Sequence, residues 1–411
     1  MRFFLLVVVL LAIDVYAFQG FRTLARHWST NAKVIFYSLF WSVPLLTVLY
    51  FFASSTAWTD TWSKSTVTFV RTFIFIAYLS KFLIIPLLLV DDVRRLATTA
   101  YHGLTGEQPF DASRSRFLTQ MGFFLASIPF LSLTYGVLRN AYRYKVFRKT
   151  VHLDDLPEAL DGLRIIQISD IHSGSFTFKE PVRNAVDLIN REMADLVFFT
   201  GDLVNSRADE MDNFVDVFDK IEAKHGVYSV LGNHDYGDYH QWPSESDKKA
   251  NLEKLKATHR QMGWNLLLNE HRQLAINGEK VAVLGVENYS AHPRFPKYGD
   301  LERAYQGSAE AGLKLLLSHD PSHWREQVLN GNFKDIAVTF SGHTHGMQFG
   351  VEIPGWFRWS PIKYVYKDWA GLYSTGQQHL YVNRGLGFLG YPGRVGILPE
   401  ITVMELRRKE A

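Results

Sequence analysis

The sequence predicts an α/β sandwich, sheets inside and helices outside, carried behind a bundle of about four transmembrane helices. Three observations predict it. The first 150 of the 411 residues hold four long apolar stretches. From about residue 151 these give way to short runs rich in Val, Ile, Leu and Phe, with helical patterns between several of them. The charge divides at the same place. Residues 1–150 carry 16 Lys and Arg against 6 Asp and Glu, and residues 151–411 carry 28 against 35.

The apolar stretches come first. Residues 3–18 (FFLLVVVLLAIDVYAF) form the shortest; its alternative, a cleaved leader, is opposed by the bulky Tyr16 ahead of a cut after Ala17. Residues 34–53 and 66–90 are each long enough to cross a bilayer, which takes ~20 apolar residues. Residues 117–138 complete the set, and Tyr and Trp gather near several of the ends, as at membrane–water interfaces. A buried helix of a soluble protein explains one such stretch but not four in succession. Arg71 and Lys81 fall inside the third; Arg71 is close enough to its start to snorkel, which leaves Lys81 as the more informative. The basic residues of the loops are level between the two orientations. The run RNAYRYKVFRK after the last span tips the expectation to a cytoplasmic C-terminal domain at a bacterial inner or cytoplasmic membrane. Membrane lipids are the expected partner of this part of the chain, and the basic run would lie against their anionic headgroups.

Composition closes several routes. With 47% hydrophobic and 14% aromatic residues the chain is not intrinsically disordered. It has no cysteine, which excludes a disulfide scaffold, a Cys-ligated zinc module, an iron–sulfur centre and a thiol nucleophile. The acidic balance of residues 151–411 opposes a nucleic-acid partner, because it repels phosphate backbones.

Residues 151–411 form the second domain. Seven apolar runs read as buried strands: Leu163–Ile168, Leu196–Thr200, Val227–Leu231, Val281–Val286, Leu313–Leu317, Ile336–Phe340 and Leu380–Val382. Helical patterns span Phe178–Arg191 and Asp247–Met262. Five of these runs end in side chains that bind metals: Asp170-Ile171-His172, Gly201-Asp202, Gly232-Asn233-His234-Asp235, His319-Asp320 and Gly342-His343-Thr344-His345. In open α/β sheets ligands sit beyond the carboxyl ends of the strands, so the five ends converge on one polar cluster.

Carboxylate, carboxamide and imidazole suit a borderline divalent ion such as Mn, Fe or Zn. In an extended strand end residues i and i+2 point the same way, so Asp170 with His172, and His343 with His345, can each clasp one ion. The donors are too many for one ion. Two ions sharing a carboxylate would use them all, which is the arrangement that clamps attacking and leaving oxygens in phosphoryl hydrolysis. The glycines before Asp202, Asn233 and His343 let the backbone turn those side chains inward.

The ordered set D-x-H, G-D, G-N-H-D, H and G-H-T-H resembles the calcineurin-like metallophosphoesterase family over residues 160–406. The wording VLGNHDY, LLLSHDP, SGHTHGMQ and YVNRGLG is most similar to its membrane-associated bacterial branch, of YkuE and YaeI type. The resemblance implies a four-layer αββα metallophosphoesterase sandwich and two divalent metal ions. Asp170, His172 and His345 would bind the first, Asn233, His319 and His343 the second, and Asp202 would bridge. A metal-bound hydroxide would attack phosphorus in line, with His234 as proton donor to the leaving group.

Two positions depart from the family pattern. Where many members carry Asp to orient the catalytic histidine, this chain has Asn205, whose amide oxygen is expected to accept the imidazole hydrogen bond without supplying charge. Met347 stands where relatives often have Gly and is expected to narrow the pocket. Arg384 in NRGLG is a candidate phosphate clamp, with a structural arginine as the equal alternative. His240, His292 and Arg294 are candidate groove residues; His225, His259, His271 and His323 read as surface residues, and the tail LRRKEA as a solvated end. The expected function is hydrolysis of a phosphodiester, phosphomonoester or pyrophosphate bond in a small-molecule, lipid-linked or nucleotide-linked substrate. The alternative is a membrane receptor or transporter with a regulatory, metal-binding phosphoesterase-like module.

Overall fold

The computed structural model describes residues 2–105, 112–353 and 356–409. It divides into two compact units, Met1–Gly136 and Val137–Ala411. The boundary expected after residue 150 therefore falls inside the second unit. The second half of the run read as a basic flank of the last span begins a strand, β1 (Lys145–Leu153), paired in parallel with the C-terminal strand.

The first unit is helical: α1 (Arg2–Leu24), α2 (Thr30–Ser55), α3 (Lys64–Thr105) and α4 (Ala112–Tyr135). All four apolar stretches lie in helices long and apolar enough to cross a membrane, with spans Leu5–Leu24, Thr30–Ser55, Lys64–Tyr101 and Arg116–Asn140. Large apolar side chains such as Ile35, Leu39 and Phe52 face outward, as lipid-facing surfaces require. Polar groups turn inward. Lys81 is buried with its Nζ 2.5 Å from Asp14 Oδ1, and Tyr78 donates to Asp14 Oδ2 at 2.7 Å. Arg71 donates to the Tyr50 hydroxyl.

The second unit adds β2 (Arg164–Ile168), α5 (Lys179–Arg191), β3 (Leu196–Phe199), α6 (Val215–Phe218), β4 (Val227–Ser229), α7 (Glu245–Gln261) and β5 (Asn265–Leu266). It continues with β6 (Glu270–Ile276), β7 (Glu279–Gly285), α8 (Leu301–Tyr305), β8 (Leu313–Leu317), β9 (Ile336–Ser341), β10 (Val351–Ile353) and β11 (Phe357–Trp359). The last strands are β12 (Gly371–Thr375), β13 (Gln378–Val382) and β14 (Glu400–Arg408). One six-stranded sheet runs β1-β14-β2-β3-β4-β5 and the other β12-β13-β9-β8-β7-β6, while β10 and β11 form a separate hairpin.

Strand alternation makes the layers. Ile165, Phe198, Tyr228, Val283, Leu315 and Phe340, contributed by both sheets, meet in a single buried core. Their neighbours Ile166, Ile168, Val197 and Phe199 point the other way, onto Val182, Val186 and Ile189 of α5 and Leu255 of α7. On the far side Leu284, Leu316 and Val382 pack under Leu301 and Ala304 of α8 with Trp324. Helix, sheet, sheet, helix is the expected order. Strands β2, β3 and β4 are mutually parallel, as are β7, β8 and β9. The loops after β2, β3, β4, β8 and β9 carry the Asp, Asn and His side chains that are candidates for metal binding.

Candidate metal centre

The chain reaches the centre through left-handed backbone. Asp170, His172, Asp202, His343 and His345 all have positive φ, between 47° and 71°. Such a conformation costs a residue with a Cβ ~1–2 kcal/mol, and strain of this kind gathers at functional sites. The i, i+2 pairs are therefore not strand ends in extended form. His343 and His345 part company: His345 joins Asp170 and His172 in one donor triad, and His343 joins Asp202 and His319 in a second. Among the preceding glycines only Gly201 needs positive φ, at 94°. Gly342 serves close approach, because a Cβ there would lie 1.9 Å from Ser169 Oγ and 2.3 Å from Asp170 Oδ2.

Within the first triad His345 Nε2 is 3.2 Å from Asp170 Oδ1 and 3.0 Å from His172 Nε2. Asp202, a member of the second triad, also reaches the first: its Oδ2 is 3.2 Å from His319 Nε2 and 3.5 Å from His172 Nε2. Asn233 Oδ1 lies 2.8 Å from His343 Nδ1, which is 3.3 Å from His319 Nε2. Outer contacts aim each donor inward. His319 donates from Nδ1 to the Thr200 carbonyl at 2.7 Å, leaving Nε2 for the centre. Asn233 donates from Nδ2 to the Tyr239 hydroxyl, turning Oδ1 inward. The Tyr366 hydroxyl donates to Asp320 Oδ2 at 3.0 Å and so accepts from His343 Nε2 at 2.8 Å, which leaves Nδ1 of His343 as the inward lone pair.

The electrostatics call for positive charge. Burial, reinforced by the neighbouring Asp202 carboxylate, pushes Asp170 up to about 7. Burial lowers His172 to about 3 and His345 well below its usual value, so both are neutral imidazoles with lone pairs to give. At His319 burial opposes protonation but the Asp202 carboxylate overcomes it and raises the group to about 10. The carboxylate recruits a proton where a cation would serve it better, and a borderline divalent ion fits these nitrogen and oxygen donors.

Two family models match the chain. One is described as a probable calcineurin-like phosphoesterase transmembrane domain, over residues 1–141, and the other as calcineurin-like phosphoesterase, over residues 163–347. The chain belongs to the calcineurin-like metallophosphoesterases. Among its relatives is a transmembrane protein with metallophosphoesterase domain of Danio rerio, 30% identical over 281 residues; the match spans 67% of this chain and 60% of that protein. The metallophosphoesterase YkuE of Bacillus subtilis is 28% identical over 306 residues, covering 72% of this chain and 98% of YkuE. The phosphodiesterase YaeI of Escherichia coli is 27% identical over 249 residues, covering 59% and 82%. An integral membrane domain and a phosphoester hydrolase domain are thus joined in one chain.

Several residues of the phosphoesterase domain differ from expectation. His234 lines the cavity beside the donors, and its Nδ1 donates at 2.7 Å to the backbone carbonyl of Asn205, not to its side chain. The Asn205 amide oxygen instead accepts from Ser175 Oγ. A main-chain acceptor serves the imidazole, so the hydrogen bond expected to the Asn205 amide oxygen is not made. Arg384 is no phosphate clamp: it is buried, 2.5 Å from Glu400 and 2.6 Å from Glu352, and lies over the Phe147 ring. Arg294 and His292 line the cavity instead, while His240 is exposed and packs edge-on against Trp242. Met347 does not line the cavity and is 55% exposed. His259 and His323 are fully buried core residues rather than surface ones. Of the tail, Leu406–Arg408 belong to β14 and residues 410–411 lie outside the described residues.

Sequence alone assigns no role to Asp235, Tyr239, Asp320, Tyr366 or Arg394. Asp235 accepts from four backbone N–H groups, those of Asp202, Leu203, Val204 and Gly232, and so ties the β3 loop to the β4 loop. Arg394 is fully buried and donates to the carbonyls of Arg384, Gly385 and Gly387, fixing the loop that packs on Asp170 and His345. The two acids stand within the motifs GNHD and SHD, which is the signal that could have found them. Nothing in the local sequence marks Tyr366 or Arg394.

Proposed function

We propose that the chain is a membrane-anchored hydrolase of phosphate ester or anhydride bonds that works with two divalent cations drawn from Mn, Fe and Zn. Asp170, His172 and His345 would hold one, and Asn233, His319 and His343 the other, with Asp202 shared. The observation that carries this reading is the position of Asp202, within 3.5 Å of a histidine from each triad. Bound cations supply Lewis acidity: they polarise phosphoryl oxygens and lower the pKa of water.

The side chains do the rest. With Nδ1 held by the Asn205 carbonyl, His234 exchanges protons at Nε2, and its place in the cavity suits protonation of a departing alkoxide. Arg294, at the cavity lining, offers a permanently charged guanidinium to a non-bridging phosphoryl oxygen. The cavity, of about 740 Å³, is walled on its other sides by Tyr239, Phe295, Ile362, Val365 and Leu389. That lining suits a substrate with an apolar portion attached to its phosphate, lipid-linked or nucleotide-linked. A cytoplasmic site at a bacterial inner membrane is the location favoured by the basic run after the last span.

The test uses the full chain in detergent, with Mn²⁺, on a chromogenic phosphodiester and a chromogenic monoester. Hydrolysis by the wild type, lost in both Asp202→Asn and His234→Ala, supports the reading. A wild type that stays inactive while holding its metal refutes it.

A further inference from the structure

Most of the exposed large apolar side chains of the unit Val137–Ala411 lie in one stretch, between Met347 and Val365. The hairpin β10–β11 is its centre, and its polarity is inverted. Val351 pairs with Trp359 and Ile353 with Phe357, so these four share one face; Glu352 pairs with Arg358 on the other. On a hairpin resting against a soluble core the apolar face turns inward. Here the polar face is the one tied down: Glu352 accepts from Arg384, and Arg358 donates to the Ala370 carbonyl and lies over the Trp369 ring. Three of the four apolar residues look out, with Val351 47%, Ile353 43% and Phe357 47% exposed and Trp359 half-buried, and Trp356 stands beside them at 82%. Tyr364, 75% exposed, extends the patch.

What covers such a surface follows from its chemistry. Trp, Tyr and Phe are the residues of the membrane–water interface. Residues 347–367 carry Arg358, Lys363 and Lys367 against the single acid Glu352, which Arg384 already engages, although residues 151–411 as a whole are acidic. Lys363 and Lys367 are exposed, as cations that meet anionic headgroups must be. The bilayer is also at hand along the chain: only residues 141–144 separate the last candidate span from β1.

We infer that the outward face of β10–β11, with Trp356 and Tyr364, inserts into the interfacial layer of an anionic membrane. The catalytic cavity shares Val365 with this surface and takes Ile362 from the same stretch. Insertion therefore sets the cavity mouth at headgroup depth, within reach of a phosphoester on a lipid. That last consequence rests on the hydrolase reading; insertion itself does not.

The chain has no cysteine, so a single one can be labelled. Trp356→Cys carries an environment-sensitive fluorophore in the full chain, reconstituted into vesicles of phosphatidylcholine and phosphatidylglycerol. Met193→Cys, at a site 79% exposed elsewhere on the same unit, is the control. The expected result is loss of emission at 356 with lipids spin-labelled high on the acyl chain and no response to aqueous iodide, with the reverse at 193. Quenching at 356 by iodide alone overturns the inference, because the face is then in water. Protection from both quenchers overturns it too, because a second copy or another protein then covers the face. Neither readout depends on catalysis, so an inactive enzyme with a lipid-quenched probe would sink the hydrolase reading and leave insertion standing.

Discussion

Replacing Asp235 by Asn changes one atom and removes the tie between the two loops that carry Asp202 and Asn233. In the wild type Oδ2 accepts from the N–H groups of Asp202 and Gly232, both at 2.9 Å, and Oδ1 from those of Leu203 at 2.8 Å and Val204 at 3.3 Å. Asn keeps one acceptor oxygen and presents an NH₂ group to the other pair, so two backbone donors in a fully buried site lose their partner. At ~1.5–3 kcal/mol for each hydrogen bond to a charged acceptor, the loss is about 3–6 kcal/mol. For a domain of this size, at ~2–4 °C per kcal/mol, that lowers Tm by about 6–24 °C. Thermal unfolding of the full chain in detergent, followed by tryptophan fluorescence, measures it, and weakened Mn²⁺ binding accompanies it because Asp202 and Asn233 are no longer held in register. A variant that melts within ~2 °C of the wild type, less than about 1 kcal/mol on the same scale, would refute the reasoning.

Three further outcomes follow from the same structure. Tyr366→Phe removes the hydroxyl between His343 Nε2 and Asp320, so metal affinity in a chelator competition falls ~10–100-fold; an unchanged affinity contradicts the orienting role. Lys81→Met strands the Asp14 carboxylate in the helical unit with Tyr78 as its remaining partner, costing ~3–5 kcal/mol in denaturant unfolding, while Asp14→Asn with Lys81→Met restores most of it; equal single and double variants contradict the ion pair. Burial holds His259 down to about 3, whereas the unfolded chain protonates near ~6.5. Its stabilising contribution is therefore full above about pH 6.5 and is lost as pH falls toward 3, by about 2 kcal/mol at pH 5. His259→Gln flattens that slope, and a variant as acid-sensitive as the wild type contradicts it.

The parts of the fold legible in the sequence were those whose residues are buried on both faces. The runs at β2, β3, β4, β7, β8, β9 and β13 are continuous apolar strings because helices or a second sheet cover each side. Strand β1 was not legible: KVFRKTVHL buries only Val151 and Leu153, and its basic residues read as a membrane flank. Strands β10 and β11 hide for a different reason, since their apolar residues face outward. At the site the donors were legible because ligand chemistry restricts them to Asp, Asn and His at strand ends. Their orientation was not. Whether His343 offers Nδ1 or Nε2 is decided by Tyr366, which comes from a later loop, and the acceptor for His234 is a backbone carbonyl that no residue type announces.

Counting bound metal per chain tests the central claim most directly. Full chain loaded with Mn²⁺ and freed of excess is assayed by elemental analysis, alongside His345→Ala and His319→Ala. Two ions in the wild type, falling toward one in each variant, is the result that two triads sharing Asp202 predict. One ion or none in the wild type, or variants that hold as much as the wild type, would contradict it.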